Sequence, residues 1–193
     1  MFMNMAGLKI TLASSPYDVK GLIKSAVRDN NPVICFESNR LFGMKGPVPE
    51  EEYVVPIGEA EVKREGGDIT VVGLAWQVQE ALAAAETLAG EGVSVEVVDP
   101  RTLVPMDVDA IRASVRKTGR LLVADEAGPT AGAAAEIATL VTEDPQCFAA
   151  LKAPPKRVCA LQVPIPYSPV LEDHVFPNRD KIVAGVREVM AAG

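Results

Sequence analysis

Two adjacent carboxylates, Asp125 and Glu126, precede the glycine-rich run Ala127-Gly128-Pro129-Thr130-Ala131-Gly132, and they are the most site-like residues of the chain. They stand between an apolar strand-like stretch and a helical one. In open parallel sheets, ligands gather at the carboxyl ends of strands. A glycine-rich turn before a helix can cradle an anion, because free backbone N–H groups and the helix dipole point at it. The fingerprints that would make this chemistry specific are missing: the chain has neither G-x-G-x-x-G nor G-x-x-x-x-G-K-[ST]. Gly90 and Gly92 follow a helical stretch and read as its cap. Asp125, Glu126 and their loop therefore also read as structural or interface residues. Two more strand ends carry Ala75-Trp76-Gln77 and Asp99-Pro100-Arg101-Thr102.

The only histidine, His174, has no serine or cysteine nucleophile pattern beside it and no second histidine to share a metal. It reads as a surface or interface residue. Trp76, the only tryptophan, lies at a strand-to-helix turn and reads as packing. Cys35, Cys147 and Cys159 are far apart, without a C-x-x-C pair, so they give neither a disulfide framework nor a zinc site. Cys35 and Cys159 lie in apolar runs and are expected to be buried thiols. No set of nucleophile, base and oxyanion donor assembles, so no catalytic residue and no cofactor-binding residue is assigned.

The elements that would position these groups follow a clear rhythm. Residues 8–13 read as a strand. Ser15 caps a helix opening at Pro16, and Asn31-Pro32 ends it. Residues 33–36 form a second strand, giving a parallel strand–helix–strand unit. Residues 39–66 hold the glycines, prolines and the Glu50-Glu51-Glu52 run of a linker, with an edge strand at 59–64. Strands are then expected at 69–74, 93–98, 121–124 and 157–161. Helices alternate with them at 77–88, 108–117, 133–142 and 181–190. Asp107 is the expected cap of the second of these helices, and Gly119 its stop. The fold class is α/β: an open, mostly parallel sheet with helices on both faces, preceded by a partial strand–helix–strand piece of a second α/β domain. The domain reading is 1–38, 39–66 and 67–193. Two buried strands and one helix do not make a stable domain, so residues 1–38 read as the tail of a longer one. The alternative is that they join the sheet of the second half.

Composition narrows the function classes. The chain has 193 residues, 48% hydrophobic and 23% charged, as in an ordinary globular protein. Its net charge of −7 argues against nucleic acid as a partner. Eight basic and nine acidic residues fall in 1–66, against eleven and seventeen in 67–193, so the second half suits a basic partner or simply solubility. No apolar run is long enough to span a membrane. The first residues do not read as a signal peptide, which makes cytoplasm or an organelle matrix the expected location.

Five segments together resemble one family. They are GLKITLASSPYDVKGLIKSAVRDNNPVICFE, LFGMKGPVPEEEYVVPIGEAEVKREGGDITVVG, VEVVDPRTLVPMD, SVRKTGRLLVADEA and VPIPYSPVLED. In order and spacing they resemble the β subunit of the thiamine-diphosphate-dependent decarboxylating component of 2-oxo acid dehydrogenase complexes, with the pyruvate and acetoin branches nearest. The resemblance implies that residues 1–38 are the tail of a pyrimidine-binding domain and that residues from about 67 are a transketolase-type C-terminal domain. It implies two α and two β subunits holding thiamine diphosphate and magnesium between them, and an acyl group passed to a lipoyl carrier. The family's activating glutamate and substrate-facing histidine have no counterpart in these residues. The turn Ala26-Val27-Arg28-Asp29-Asn30-Asn31-Pro32 resembles a structural potassium site. Its implied ligands are the carbonyls of Ala26 and Asp29 and the side chain of Asn31. Partner-less carbonyls at a helix end suit a hard cation, though a plain helix terminus fits as well. The implied partners are an α subunit, a second β subunit and the basic subunit-binding domain of a dihydrolipoyl acyltransferase. Glu172 and Asp173 are the expected docking contacts for the last. Exposed strand edges lead us to expect a homodimer or larger.

Overall fold

The computed structural model describes residues 2–193 and contains two sheets. The larger is built from β3 (Glu61–Arg64), β4 (Ile69–Gly73), β5 (Val95–Asp99), β7 (Leu121–Asp125) and β8 (Lys156–Cys159), in the order β3-β5-β4-β7-β8. Its last four strands are mutually parallel, and β3 is an antiparallel edge strand. The three central strands are buried along their whole length. Their continuous apolar runs are what a sheet covered on both faces requires.

Alternate residues of these strands pack in opposite directions. Ile69, Val71, Val95, Val97, Leu122 and Ala124 meet α2 (Trp76–Ala89) and α7 (Arg179–Ala191). Val72, Val98, Leu121 and Val123 meet α3 (Val108–Thr118), α4 (Ala133–Thr142) and the short α5 (Pro145–Ala150). Each fully buried Val, Leu or Ile contributes about 1.5–3 kcal/mol, so these two clusters dominate the stability. The helix ends follow the sequence signals. Asp107 caps α3 by accepting from Ala110 N, and Gly119 stops it in the left-handed region (φ 75°), where a Cβ would be strained.

The smaller sheet has the order β2-β1-β6. β1 (Lys9–Leu12) and β2 (Val33–Phe36) pair in parallel through α1 (Pro16–Arg28), the unit the sequence indicates. Ser15 caps α1, its side chain accepting from Asp18 N. The third strand, β6 (Thr102–Val104), is an antiparallel partner of β1 that sequence reading did not find. It is three residues long, and its meaning lies only in its pairing. The first unit thus lies in a sheet of its own, completed by the second half of the chain. A short α6 (Pro169–Val175) was also not anticipated; Pro169 and Val170 open it behind Ser168.

Candidate functional site

Three segments at the carboxyl ends of strands come together around one cavity. They are Leu74 and Ala75 after β4, the loop 125–132 at the end of β7, and residues 36–38 at the end of β2. Together with Phe2, Met3, Ile10, Leu12 and Leu103 they enclose a cavity of about 430 Å³.

The β4–α2 turn is tight. Ala75 adopts φ 52° and ψ −119°, a region L-residues seldom occupy. Gly73 allows the helix to start this close to its strand: a Cβ there would lie 2.7 Å from Val78 N and 2.8 Å from the Gln77 carbonyl. Gln77 is fully buried, its Nε2 donating to Pro177 O at 3.4 Å while its Oε1 has no hydrogen-bond partner among the described residues. The Trp76 Nε1 is likewise enclosed without an acceptor.

The two carboxylates of the β7 loop separate in role. Asp125 accepts from Ala127 N at 2.9 Å and from Ala134 N at 3.3 Å, so it folds the loop and caps the start of α4. Burial pushes its carboxyl up against those hydrogen bonds. Glu126 faces the cleft. Burial raises its carboxyl too, opposed by Ser38, Arg40 and Gln77 around it. Arg40 connects this region to α6: it lies 3.4 Å from Glu172 and 3.1 Å from Asp173, with its guanidinium 5.2 Å over the Phe176 ring. The two expected docking residues are therefore neighbours on one helix, partly neutralised by Arg40. Beside them Ile165, Tyr167 and Val170 are exposed.

The ionisable residues of the cavity are Glu37, Asp125 and Glu126, with no Lys or Arg among its lining. A diphosphate would meet three carboxylates and no cation in that lining, so the residues present do not fit thiamine diphosphate, and no chemistry is routed through it. The turn expected to hold potassium is brought together by local sequence alone. Asp29 N donates to Ala26 O at 3.3 Å, and the Asn31 Nδ2 donates to the Asp29 carboxylate at 2.9 Å. That carboxylate also pairs with Lys9 and sits at about 2, lowered chiefly by the Lys9 hydrogen bond and further by Asn31. The Asn31 side-chain oxygen and the two carbonyls keep lone pairs to offer. His174 is exposed, and its carbonyl accepts from the Lys181 ammonium. Cys147 is buried, but Cys35 is exposed because β2 is the edge of its sheet, correcting the expectation for that thiol. Among the described residues no three His, Cys, Asp or Glu side chains cluster to hold a metal, and no helix is long and apolar enough to cross a membrane.

A second polar constellation escaped the sequence reading. Asp18 of α1, Glu61 and Lys63 of β3, Asp99 at the end of β5 and Arg101 beyond it converge in one buried cluster. The spacing Glu61-x-Lys63 puts that pair on one face of β3, whereas Asp99 and Arg101 are brought together by a turn in which Arg101 takes a left-handed φ of 56° and its N–H donates to the Asp99 carboxylate.

Residues 58–182 match the family described as "Transketolase, C-terminal domain". The β subunit of acetoin:2,6-dichlorophenolindophenol oxidoreductase from Bacillus subtilis is 46% identical over 190 residues, 98% of this chain and 55% of its own length. The 2-oxoisovalerate dehydrogenase β subunit of the same organism is 44% identical, covering 98% and 58%. Its pyruvate dehydrogenase E1 component β subunit is 42% identical, covering 95% and 56%. The chain thus spans a little over half the length of the curated relatives it matches. A solved structure titled "Split gene transketolase, inactive beta4 tetramer" superposes with a TM-score of 0.80 over 99% of this chain and 60% of that one. At 22% identity it shares the fold.

Proposed function

This chain belongs to the transketolase C-terminal-domain family, and on that premise we propose that it serves as the assembly half of a β-type subunit in a thiamine-diphosphate-dependent dehydrogenase acting on a 2-oxo acid or acetoin. The observation that carries this reading is the 42–46% identity to such β subunits along at least 95% of the chain. The geometry supports a role in assembly over one in chemistry. The cavity at the strand ends offers carboxylates but no cation for a diphosphate, and one of those carboxylates is spent on holding its own loop. In the parent enzyme thiamine diphosphate and magnesium lie between α and β subunits, and the acyl group passes to a lipoyl carrier. This chain supplies surfaces for the α subunit, for a second β subunit and for the acyltransferase's subunit-binding domain, the last at Glu172 and Asp173. Potassium at Ala26, Asp29 and Asn31 belongs to the same proposal.

The test combines the purified chain with the α-type subunit of its own organism. Light scattering should show a defined complex, and acetoin-, pyruvate- and 2-oxoisovalerate-dependent dye reduction should be absent. Failure to associate with the α subunit would overturn the β-type reading. Substrate-dependent dye reduction by the pair would overturn the restriction to assembly.

A further inference from the structure

The buried charge cluster joins three separate stretches of the chain. Lys63 Nζ lies 2.9 Å from one oxygen of Asp18, and Arg101 Nε lies 2.9 Å from the other. Both cations also pair with Glu61. Asp99 takes a hydrogen bond from the Ser14 hydroxyl and one from the Arg101 backbone N–H at 2.9 Å, but its only cation within 4 Å among the described residues is Lys63, at 3.8 Å. From α2 comes only a neutral group, the Gln79 amide, donating to Ser14 O at 2.9 Å. Asp18 and Asp99 are 0% exposed. Three carboxylates thus face two cations, Asp18 and Asp99 away from water and Glu61 partly exposed, and Asp99 is the least compensated. A buried charge without a full partner is costly, and taking up a proton relieves it.

The cluster stands at the junction of the two sheets. Arg101 directly precedes β6, and Leu12 N of β1 donates to Arg101 O at 2.8 Å. We propose that this cluster is an acid-tightened clasp between the β1–α1–β2 unit and the C-terminal sheet, taking up one proton at Asp99 as the medium turns mildly acidic. Burial pushes the Asp99 carboxyl up to about 6, against the pull of Ser14, Lys63 and the Arg101 N–H. The Lys63 ammonium stays charged: burial would lower it, but hydrogen bonds to Glu61 and Asp18 carry it above its ordinary value. Protonation leaves two carboxylates facing two cations. The neutral acid still accepts from the Arg101 N–H, and the Ser14 hydroxyl can turn to accept its proton.

In the unfolded chain Asp99 returns to its ordinary value of 3.8. Between that value and 6 the folded form binds more protons, so stability falls as pH rises through this window and levels off above it. A group shifted this far strengthens folding about tenfold between pH 7 and pH 5.

The test is native-state hydrogen exchange on the 193-residue chain. Protection of the Leu12 amide, corrected for its intrinsic rate, should rise about tenfold from pH 7 to pH 5. Asp99→Asn keeps the acceptor oxygen but cannot ionise, and should abolish the rise. A carbon-13 titration of the carboxyl groups should place the Asp99 midpoint near 6. Glu61→Gln, which evens the charges, should move that midpoint down. A flat wild-type profile, or an equal rise in Asp99→Asn, would overturn the clasp. Should Asp99→Asn fail to fold, a wild-type midpoint below about 4.5, within the ordinary carboxylate range, overturns it alone.

Discussion

Replacing Gly73 by alanine tests whether the close start of α2 on β4 shapes the cavity. The new Cβ would lie 2.7 Å from Val78 N and 2.8 Å from both the carbonyl carbon and oxygen of Gln77. All three are backbone atoms, so no side chain can swing aside, and the first turn of α2 must shift by several tenths of an ångström. Forcing a methyl group into a well-packed site costs about 1–3 kcal/mol, and an unyielding backbone places this one near the top of that range. Alanine also restricts the unfolded chain, which returns about 0.4–1 kcal/mol. Gly67→Ala is the matched control. Nothing lies within 4 Å of its Cβ, so only the unfolded-state gain remains. Urea unfolding followed by circular dichroism should rank Gly67→Ala at or above the parent and Gly73→Ala about 2–2.5 kcal/mol below it, with equal denaturant slopes. Equal midpoints for the two variants would show that α2 can retreat from β4 without cost, and the packing account of the turn would fall.

Isothermal titration of the chain with thiamine diphosphate and magnesium should give no micromolar heat, since the cavity carboxylates have no counter-charge for a diphosphate; one-to-one binding would refute this. Potassium chloride should raise the melting temperature above that in an equal concentration of a bulky organic cation chloride, and Asn31→Ala should remove the difference. Identical melting in both salts would discard the potassium site. Converting Glu172 and Asp173 to their amides should slow association with the acyltransferase's subunit-binding domain severalfold at low salt and flatten its ionic-strength dependence. The effect on stability should stay below about 1 kcal/mol, since the Arg40 pairs are surface pairs. An unchanged on-rate would move the docking face elsewhere.

The alternation of strands and helices pointed to the four parallel strands of the larger sheet from sequence, most clearly the three central ones, because strands buried on both faces cannot hide their composition. Ser15, Asp107 and Gly119 placed helix boundaries correctly, since capping chemistry is local. The collinear segments likewise carry the family resemblance, since they are a property of the sequence alone. What sequence could not supply was everything made by pairing across distance. β6 is three residues whose strand character exists only beside β1. The separate roles of Asp125 and Glu126 depend on which one meets the loop's own N–H groups. The exposure of Cys35 follows from β2 standing at an edge, although VICF reads as a buried run. The clasp is the plainest case. Asp18, Glu61, Lys63, Asp99 and Arg101 look like ordinary surface charges along the chain, and only the docking of α1 and β3 against the end of β5 buries Asp18 and Asp99 and sets three carboxylates against two cations.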